Sequence, residues 1–246
     1  MEPRLVLVSG GARGLGAGIV RRCLDDGHRV SVGARSPEKV REAFPDAGER
    51  LRAYPYDADA PGTAAEWVEA TARDMGPPDA LVNNAGVSLP APIDGPDFEA
   101  QWATTLAVNL TAHTTTIRAC LPHLTRNGDG RIVNIASTEG IGGSAYISPY
   151  TASKHGVIGL SRSLAVELGP TGVTVNVVCP GPIHTGMTAE IPDEAKQKFA
   201  RRNVPMKRYG DPEEVAHATF SLCLPAMSYC TGAVVVVDGG FTTKNN

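Results

Sequence analysis

The chain has 246 residues, of which 42% are hydrophobic and 20% are charged, and its formal net charge is −3. This balance excludes wholesale disorder, and the lack of a basic excess argues against binding to nucleic acid or to an anionic membrane. The longest aliphatic run, at 233–237, is far shorter than the roughly 20 residues of a membrane-spanning helix. We expect one α/β domain over residues 1–246.

Short runs rich in β-branched residues alternate with amphipathic stretches along the chain. Seven runs predict strands, at 5–8, 29–34, 51–56, 80–83, 131–135, 173–178 and 233–237. Apolar stripes predict a first helix with Leu15, Ile19, Cys23 and Leu24, and a later one with Val157, Leu160, Leu164 and Leu168. Because strands alternate with helices, the pattern predicts a doubly wound, parallel, Rossmann-like sheet of seven strands with helices on both faces.

The five cysteines indicate the redox environment of the protein. They are odd in number and form no CxxC pair, which predicts reduced thiols and a cytoplasmic location. The first strand begins at Leu5, which leaves no room for a signal peptide before it. Histidines and cysteines do not cluster at metal-ligand spacing, so we expect no metal site.

A glycine-rich turn follows the first predicted strand and precedes the first predicted helix. Gly10, Gly14 and Gly16 have the spacing G-x-x-x-G-x-G, and Ser9 stands directly before them. Glycines at such a turn allow a pyrophosphate to approach the backbone at a helix N-terminus, where free N–H groups meet negative charge. The turn therefore predicts a dinucleotide site.

Further motifs follow in chain order, most of them at predicted strand ends. They are Asn83-Asn84-Ala85-Gly86, Asn109 in a long helix, Ser137 after the fifth strand, Tyr150 with Lys154, Pro180-Gly181 after the sixth strand, and Asp238-Gly239-Gly240 near the end. Tyr150 and Lys154 are four residues apart, so they share one helix face. A nearby ammonium group favours the phenolate and thereby lowers the pKa of a tyrosine toward neutrality.

Together these motifs resemble the short-chain dehydrogenase/reductase family in its single-domain form, over nearly the whole chain. The resemblance implies an NAD(P)-dependent oxidoreductase that interconverts a ketone and a secondary alcohol by hydride transfer. It implies that Tyr150 is the acid/base and that Ser137 stabilises charge on the substrate oxygen. It also implies that Lys154 lowers the pKa of Tyr150 and holds the nicotinamide ribose. Asn109 is expected to interrupt its helix and to hold a water that re-protonates Lys154.

The resemblance also implies a set of cofactor contacts. These are Gly10, Ala12, Arg13, Gly14, Leu15, Gly16, Ala34, Arg35, Asp57, Ala58, Asn84, Ala85, Gly86, Tyr150, Lys154, Pro180, Gly181, Ile183 and Thr185. Within this set, Asp57 and Ala58 are expected beside the adenine, and Thr185 and Ile183 beside the nicotinamide carboxamide.

The end of the second strand predicts which cofactor is preferred. An NAD enzyme of this fold has an acid there to bind the ribose hydroxyls. Here Ala34 occupies that place and Arg35 follows, with Arg13 in the glycine turn as a second cation. Because a guanidinium binds phosphate well, we expect NADP(H) to be preferred over NAD(H).

The substrate is a small carbonyl or alcohol compound, and its pocket is expected from segments 88–93, 138–147 and a lid at 187–203. The predicted substrate contacts are Ser88, Ser137, Glu139, Ile147, Tyr150 and Met187. An exposed loop acid is the favoured interpretation of Glu139, and binding of a substrate hydroxyl or amine is the alternative. The lid carries Lys196, Lys198, Arg201 and Arg202, which favour a solvated helix face, with contact to an acidic substrate as the alternative.

Three functions follow from these interpretations. The first is a general NADP(H)-dependent ketone reductase. The second is a 3-oxoacyl thioester reductase, because segment 204–215 is similar to 3-oxoacyl-carrier-protein reductases. The third, from another class, is a non-catalytic NADP(H)-binding sensor. The resemblance and the valine-rich run 233–237, a predicted sheet edge, further predict a homotetramer.

Overall fold

Within residues 2–60 and 62–244, which the computed structural model describes, seven strands alternate with eight α-helices. The strands are β1 (Leu5–Ser9), β2 (Arg29–Ala34), β3 (Leu51–Pro55), β4 (Ala80–Asn83), β5 (Arg131–Ile135), β6 (Thr174–Pro180) and β7 (Val234–Val237). The helices are α1 (Gly14–Asp25), α2 (Pro37–Ala43), α3 (Thr63–Met75), α4 (Phe98–Leu106), α5 (Ala112–Leu124), α6 (Ser148–Leu168), α7 (Asp193–Asn203) and α8 (Pro212–Ser221).

The strands form one parallel sheet in the order β3-β2-β1-β4-β5-β6-β7. This confirms the predicted doubly wound architecture with β7 at an edge. The chain winds outward from β1 to β3 and then returns to place β4 beside β1. In open α/β sheets, ligands bind in the crevice that such a reversal opens at the carboxyl ends of the strands. The ligand crevice of this fold is therefore expected between the segments after β1 and β4.

The predicted limits match the observed ones for β2, β4 and β5 and differ by one or two residues for the other four strands. β1 extends to Ser9, β3 ends at Pro55, and β7 begins at Val234. β6 begins at Thr174 and runs to Pro180, because its pairing with β7 continues to that end of the sheet. Just beyond the end of β6, the N–H of Gly181 donates to the carbonyl of Val237 at 2.9 Å.

The core consists of two apolar clusters, one on each face of the sheet. Val6 and Val8 face the cluster that includes residues of α1, α2 and α8. Leu5 and Leu7 face the opposite cluster, where Trp67 of α3 packs with residues of α5 and α6. All four β1 side chains are buried, as a strand covered on both faces requires. Each such side chain contributes about 1.5–3 kcal/mol through burial.

The helix faces agree with the predicted stripes in α1 but only in part in α6. In α6 the buried face includes Val157, Ile158 and Ser161, whereas Leu160 and Leu164 are half-buried. The polar Ser161 lies inward because its hydroxyl donates to the carbonyl of Val157 at 2.7 Å, which apolar periodicity does not reveal. No helix in the described ranges has the length and apolarity needed to cross a bilayer.

A buried polar chain connects α5 and α6 through the sheet. The Thr116 hydroxyl donates to Asn83 at 2.6 Å, and the Asn83 amide donates to Asn134 at 2.9 Å. The Asn134 amide donates in turn to the Ser161 hydroxyl at 2.9 Å. Because buried polar groups are costly unless they are satisfied, this chain fixes both helices against β4 and β5.

A charged cluster lies at the amino-terminal end of β5, opposite the carboxyl edge of the sheet. The carboxylate of Asp129 accepts from the guanidinium groups of Arg4 and Arg131, and both cations are buried. Arg4 also donates to the carbonyl of Asp79 at 2.9 Å. The cluster therefore joins the starts of β1, β4 and β5.

Replacement of Asp129 by asparagine is expected to lower the free energy of unfolding by about 2–3 kcal/mol. Removing one partner of a buried pair costs about 3–5 kcal/mol, and the partial exposure of Asp129 reduces that figure. Glu213→Gln is the matched control, because Glu213 and Arg21 form an ion pair whose side chains are both 55% exposed. The control should change stability by less than about 0.5 kcal/mol. Equal urea midpoints for the two variants would contradict the structural role of Asp129.

Candidate active site

The glycine turn joins β1 to α1 at the reversal point of the sheet. Gly10 and Gly14 have φ values of 73° and 56°, in the left-handed region that favours glycine. A Cβ at Gly16 would lie 2.0 Å from the carbonyl oxygen of Gly10, so no side chain fits there. The turn thus leaves bare backbone at the N-terminus of α1, which fits the pyrophosphate of a dinucleotide.

Ser9 and Asn84 hold the glycine turn against the segment after β4. The Ser9 hydroxyl accepts from the backbone N–H groups of Asn84 and Ala85 at 2.9 and 3.0 Å. The Asn84 side-chain amide donates to the carbonyls of Ser9 and Gly10, both at 3.0 Å. These bonds bring the first two glycine-containing motifs together and give the Ser9 hydroxyl a clear structural role.

Ser137, Tyr150 and Lys154 meet at the carboxyl end of β5. Ser137 caps a short 3₁₀ turn, and its hydroxyl accepts from the N–H of Glu139 at 3.1 Å. The Ser137 hydroxyl lies close enough to the Tyr150 phenol to lower its pKa. The Lys154 ammonium donates to the carbonyl of Ile135 at 2.9 Å and lies 5.5 Å from the centroid of the Tyr150 ring. One turn of α6 therefore places an ammonium group beside a phenol, as the spacing predicts.

Burial dominates the electrostatics of this cluster. It raises the pKa of Tyr150 above its ordinary value, and the nearby Ser137 hydroxyl opposes the shift. Glu139 and Cys179 raise it further. Burial also lowers the pKa of Lys154 to about 8. In the chain alone the phenol is therefore protonated at neutral pH, because burial outweighs the groups that lower its pKa.

Asn109 lies in a π-helical segment, Ala107–Thr111, between α4 and α5. Its Oδ1 accepts from the N–H of Val87 at 2.8 Å, and its Nδ2 donates to the Val87 carbonyl at 2.8 Å and to the Ser153 hydroxyl at 3.1 Å. The helix is interrupted as expected, but the side chain binds the segment after β4. Both Asn109 Oδ1 and the Lys154 ammonium border Gly86, where a Cβ would lie 3.3 and 3.7 Å from them.

The predicted adenosine contacts lie at the ends of β2 and β3. Ala34 is the buried last residue of β2, and Arg35 follows it in an exposed position. Asp57 follows β3 by two residues, and its N–H donates to the Thr63 hydroxyl at 3.2 Å. Ala58, next to Asp57, is half-buried. These ends adjoin the glycine turn because β1, β2 and β3 are neighbours in the sheet.

The segment after β6 completes the crevice on the other side. It follows Pro180, the last residue of β6, and contains Gly181 and Ile183. It brings Thr185 beside the glycine turn, since a Cβ at Gly14 would lie 3.5 Å from that of Thr185. Arg13 reaches the same segment, with its guanidinium near Gly186. Thr188 holds the segment through hydrogen bonds to Ile183 and Thr185.

Within the glycine turn, Ala12 and Leu15 are half-buried and pack against the apolar cluster of α1. Their side chains therefore support the turn from the core side. A contact between either residue and a cofactor would be made by the backbone.

Two loops form the walls of the predicted substrate pocket. The N–H of Ala91 donates to the carbonyl of Tyr146 at 2.6 Å, and Ala91 forms an isolated bridge with Ile147. Ser88, in the first loop, is half-buried, whereas Met187 at the start of the lid is exposed. The segments at 88–93 and 138–147 thus contact each other.

Glu139 is not the exposed loop acid that the sequence favours. It is half-buried, and its carboxylate accepts from the hydroxyls of Ser144 at 2.6 Å and Thr151 at 2.9 Å. The loop folds back onto the start of α6, and this fold brings both hydroxyls to the carboxylate.

Tyr146 is a residue that sequence reasoning did not single out. Its φ of 67° lies in the left-handed region although it is not glycine, and its side chain is 71% exposed. Such strain costs about 1–3 kcal/mol and is typical of functional sites. A tyrosine carries no sequence signal for this conformation.

The lid contains α7 and adjoins a cavity of about 580 Å³. Lys198, Arg201 and Arg202 are exposed, as a solvated helix face requires. Lys196 differs, because it is buried in the cavity wall and pairs with Asp193 at 3.2 Å. The cavity is bordered by Gly14 and Thr185, so it is continuous with the glycine turn.

Comparison with known proteins agrees with this geometry. Residues 10–242 match the family model described as enoyl-(acyl carrier protein) reductase. A cis-4-hydroxycyclohexanecarboxylate dehydrogenase of Sinomonas cyclohexanicum is 36% identical over 97% of this chain and 96% of its own length. The 3-oxoacyl-[acyl-carrier-protein] reductase MabA of Mycobacterium bovis is 38% identical over 96% of this chain and 92% of its own length.

A solved structure, ElxO with NADP bound, matches with a TM-score of 0.91 and 27% identity. It covers 99% of this chain and 100% of its own. The relatives named above are dehydrogenases and reductases matched over almost their full length. The chain therefore belongs to the short-chain dehydrogenase/reductase family of NAD(P)-dependent oxidoreductases.

Proposed function

We propose that this protein is an NADP(H)-dependent oxidoreductase that interconverts a ketone and a secondary alcohol, with Tyr150 as the acid/base. The observation that carries the proposal is the cluster of Ser137, Tyr150 and Lys154 at the carboxyl edge of the sheet, with the Lys154 ammonium 5.5 Å from the centroid of the Tyr150 ring. The cluster adjoins the bare backbone of the glycine turn. Both sites would lie in the single domain expected from the chain length.

The chemistry divides between the cofactor and the side chains. When bound, the reduced nicotinamide supplies the hydride that adds to the carbonyl carbon. Tyr150 donates its proton to the carbonyl oxygen as negative charge develops there. The Ser137 hydroxyl hydrogen-bonds the same oxygen and stabilises its charge. In the opposite direction the Tyr150 phenolate accepts the proton of the alcohol.

Lys154 supports Tyr150 and holds the nicotinamide ribose in this proposal. The raised pKa of Tyr150 suits proton donation, because the phenol is protonated at neutral pH. Oxidation of an alcohol needs the phenolate, and its formation requires positive charge near the ring. The Lys154 ammonium supplies part of that charge at 5.5 Å from the ring centroid.

We still propose that the segment around Asn109 supplies protons to Lys154. The Asn109 side chain is occupied by Val87 and Ser153. A π-helical segment frees backbone carbonyls from regular helix bonding, and such segments are frequent at functional sites. A water held near Asn109 would therefore be bound in part by the backbone, while the side chain fixes the segment after β4.

Preference for NADP(H) rests on the end of β2. Arg35 is exposed there with no acid at Ala34, and Arg13 lies at the start of α1 as a second cation. A guanidinium forms charge-assisted hydrogen bonds with a phosphate. One structural neighbour has NADP bound, which is consistent with this preference.

The remaining cofactor contacts follow the crevice. Asp57 and Ala58 would border the adenine, and Thr185 with the backbone of Ile183 would border the carboxamide. The pyrophosphate would be held by backbone of the glycine turn and by the segment that contains Asn84, Ala85 and Gly86. Pro180 and Gly181 would lead the chain from β6 to the nicotinamide.

A 3-oxoacyl thioester reductase is the second candidate. The 38% identity to a 3-oxoacyl-[acyl-carrier-protein] reductase favours it. The exposed bases of α7, namely Lys198, Arg201 and Arg202, suit an acidic carrier. Lys196 is excluded from that surface by its burial and its pairing with Asp193.

The test is oxidation of NADPH in the presence of a panel of ketones, diketones and a 3-oxoacyl thioester. Turnover of simple ketones supports the first candidate, and selective turnover of the thioester supports the second. Binding of NADPH without turnover of any carbonyl compound would favour a non-catalytic sensor. That outcome would contradict the catalytic proposal.

We also propose that the protein works as a homotetramer in the cytoplasm. Trp102 of α4 and Val166 of α6 expose apolar side chains, the latter to 80%, and the edge strand β7 exposes Val236. Exposed apolar surface and an open edge favour association. The free thiols of all five cysteines are consistent with a reducing compartment.

Light scattering at micromolar concentration is expected to give about four times the 25.8 kDa of one chain. Val166→Asp should reduce that mass, because a charge at the centre of an apolar contact is costly. Glu167→Gln is the control, since Glu167 is exposed beside it and the change removes a charge. A monomeric mass for the wild type would contradict the proposal.

A further inference from the structure

The carboxylate of Glu139 is held directly beside the candidate catalytic residues. It follows Ser137 by two residues, and its backbone N–H donates to the Ser137 hydroxyl. One of its carboxylate oxygens accepts from Thr151, which is the residue after Tyr150 in α6. The other oxygen accepts from Ser144 in the loop that forms the pocket wall. Glu139 is therefore bonded to Ser137 through its backbone and to the residue after Tyr150 through its carboxylate.

This negative charge has no cationic partner in the part of the chain that the structure describes. Glu139 takes part in none of the ion pairs of residues 2–60 and 62–244. Its two hydrogen bonds come from neutral hydroxyls. A carboxylate has about four acceptor positions, so further donors can still bind. The charge also acts on the site, since it contributes to the raised pKa of Tyr150.

The surrounding loop explains why Glu139 keeps its place. Ser144 and Thr151 fix the two oxygens, and the bond from Ala91 to the Tyr146 carbonyl closes the loop against the opposite wall. A long, flexible acid normally loses considerable rotamer freedom on binding a ligand. Here that freedom is already restricted, so the carboxylate is prearranged for a donor from the substrate.

We infer that Glu139 selects substrates by charge, so that the pocket favours ketones bearing a hydroxyl or ammonium group and disfavours those bearing a carboxylate. This inference rests on the proposed function, because it takes the pocket beside Ser137 and Tyr150 as the substrate site. An uncompensated charge in a half-buried pocket attracts a cation and repels an anion more strongly than it would in bulk water. A substrate hydroxyl would donate to a free acceptor position of the carboxylate.

The test compares four cyclohexanones that differ at ring position four, where they carry a methyl, hydroxyl, ammonium or carboxylate group at neutral pH. In the wild type, kcat/KM for the carboxylate should lie at least about tenfold below that for the methyl compound. Glu139→Gln retains the size and an acceptor oxygen but removes the charge. It should raise kcat/KM about tenfold for the carboxylate and lower it about tenfold for the ammonium compound. The methyl compound has no polar group for Glu139 to bind, so its change measures the effect of the lost charge on Tyr150, and the other three values are compared relative to it.

Glu167→Gln, on the exposed part of α6, is the control for the change in net charge. It should leave kcat/KM for the four compounds unchanged relative to one another. A second readout avoids turnover. Ligand-observed NMR on the NADPH complex of Tyr150→Phe, with and without Glu139→Gln, measures the dissociation constants of the four compounds. In Glu139→Gln the ratio of the ammonium to the carboxylate dissociation constant should rise while the corresponding ratio of kcat/KM falls, because a larger dissociation constant means weaker binding.

An equal loss for all four compounds in Glu139→Gln would mean that Glu139 only supports the loop, and it would overturn the inference. Unchanged ratios in both readouts would overturn it as well. If none of the four ketones, nor any in the wider panel, is reduced, the proposed function fails. The NMR ratios would then still decide whether Glu139 selects ligands by charge.

Discussion

Replacement of Tyr150 by phenylalanine is expected to lower kcat by at least about 10³-fold, within the 10²–10⁴ range of general acid catalysis. The substitution removes the proton donor but keeps the ring that packs beside Lys154. The Kd for NADPH should therefore change by less than about threefold, or about 0.6 kcal/mol. Stopped-flow reduction of an active ketone and fluorescence titration of NADPH measure the two quantities.

Tyr229→Phe is the matched control, because Tyr229 is fully exposed and lies outside the site. A kcat for Tyr150→Phe within tenfold of the wild type would contradict the assignment. The pH dependence has a definite sign. Reduction needs the protonated phenol, so it should persist at neutral pH and decline as pH rises through the pKa of Tyr150. Oxidation needs the phenolate and should increase with pH.

The second large effect concerns the cofactor. Arg35→Ala should weaken NADPH about 10- to 150-fold, since a hydrogen bond to a charged group contributes about 1.5–3 kcal/mol. NADH has no 2′-phosphate, so its binding should change little. The double change Ala34→Asp with Arg35→Ala should reverse the preference, because the new carboxylate repels the phosphate and accepts from the ribose hydroxyls. Values of kcat/KM for both cofactors test this.

Arg73→Ala is the control for loss of one positive charge, because Arg73 is exposed on α3 away from the end of β2. A wild type that already prefers NADH would refute the interpretation of the second strand. Equal losses for the two cofactors in Arg35→Ala would make Arg35 structural. Arg13 would then be the phosphate ligand to replace next.

Much of the fold follows from periodicity and local chemistry. β-Branched runs between amphipathic stretches predict the strands, and the alternation of elements predicts their parallel order. The glycine turn and the Tyr150–Lys154 spacing are local patterns, so the sequence displays them directly. These patterns predict which segments meet at the carboxyl edge of the sheet, and in the structure those segments lie at that edge.

Long-range partners are harder to predict. The bonds from Asn109 to Val87 and Ser153 join segments far apart in the chain, and no spacing encodes them. The half-buried position of Glu139 depends on a loop that folds back onto Thr151. Tyr146 adopts a conformation that its residue type disfavours, so propensity argues against it.

One end of β5 contributes to stability, and the other end adjoins the candidate catalytic residues. Asp129 and its two arginines lie before the strand, and Ser137 lies after it. At about 3.3 Å per residue, the two ends are more than about 15 Å apart. Energetic effects at such separations are normally additive. Stability and catalysis in this protein should therefore be adjustable independently, so that strengthening the ion cluster at one end of the strand leaves room for substitutions of the pocket at the other.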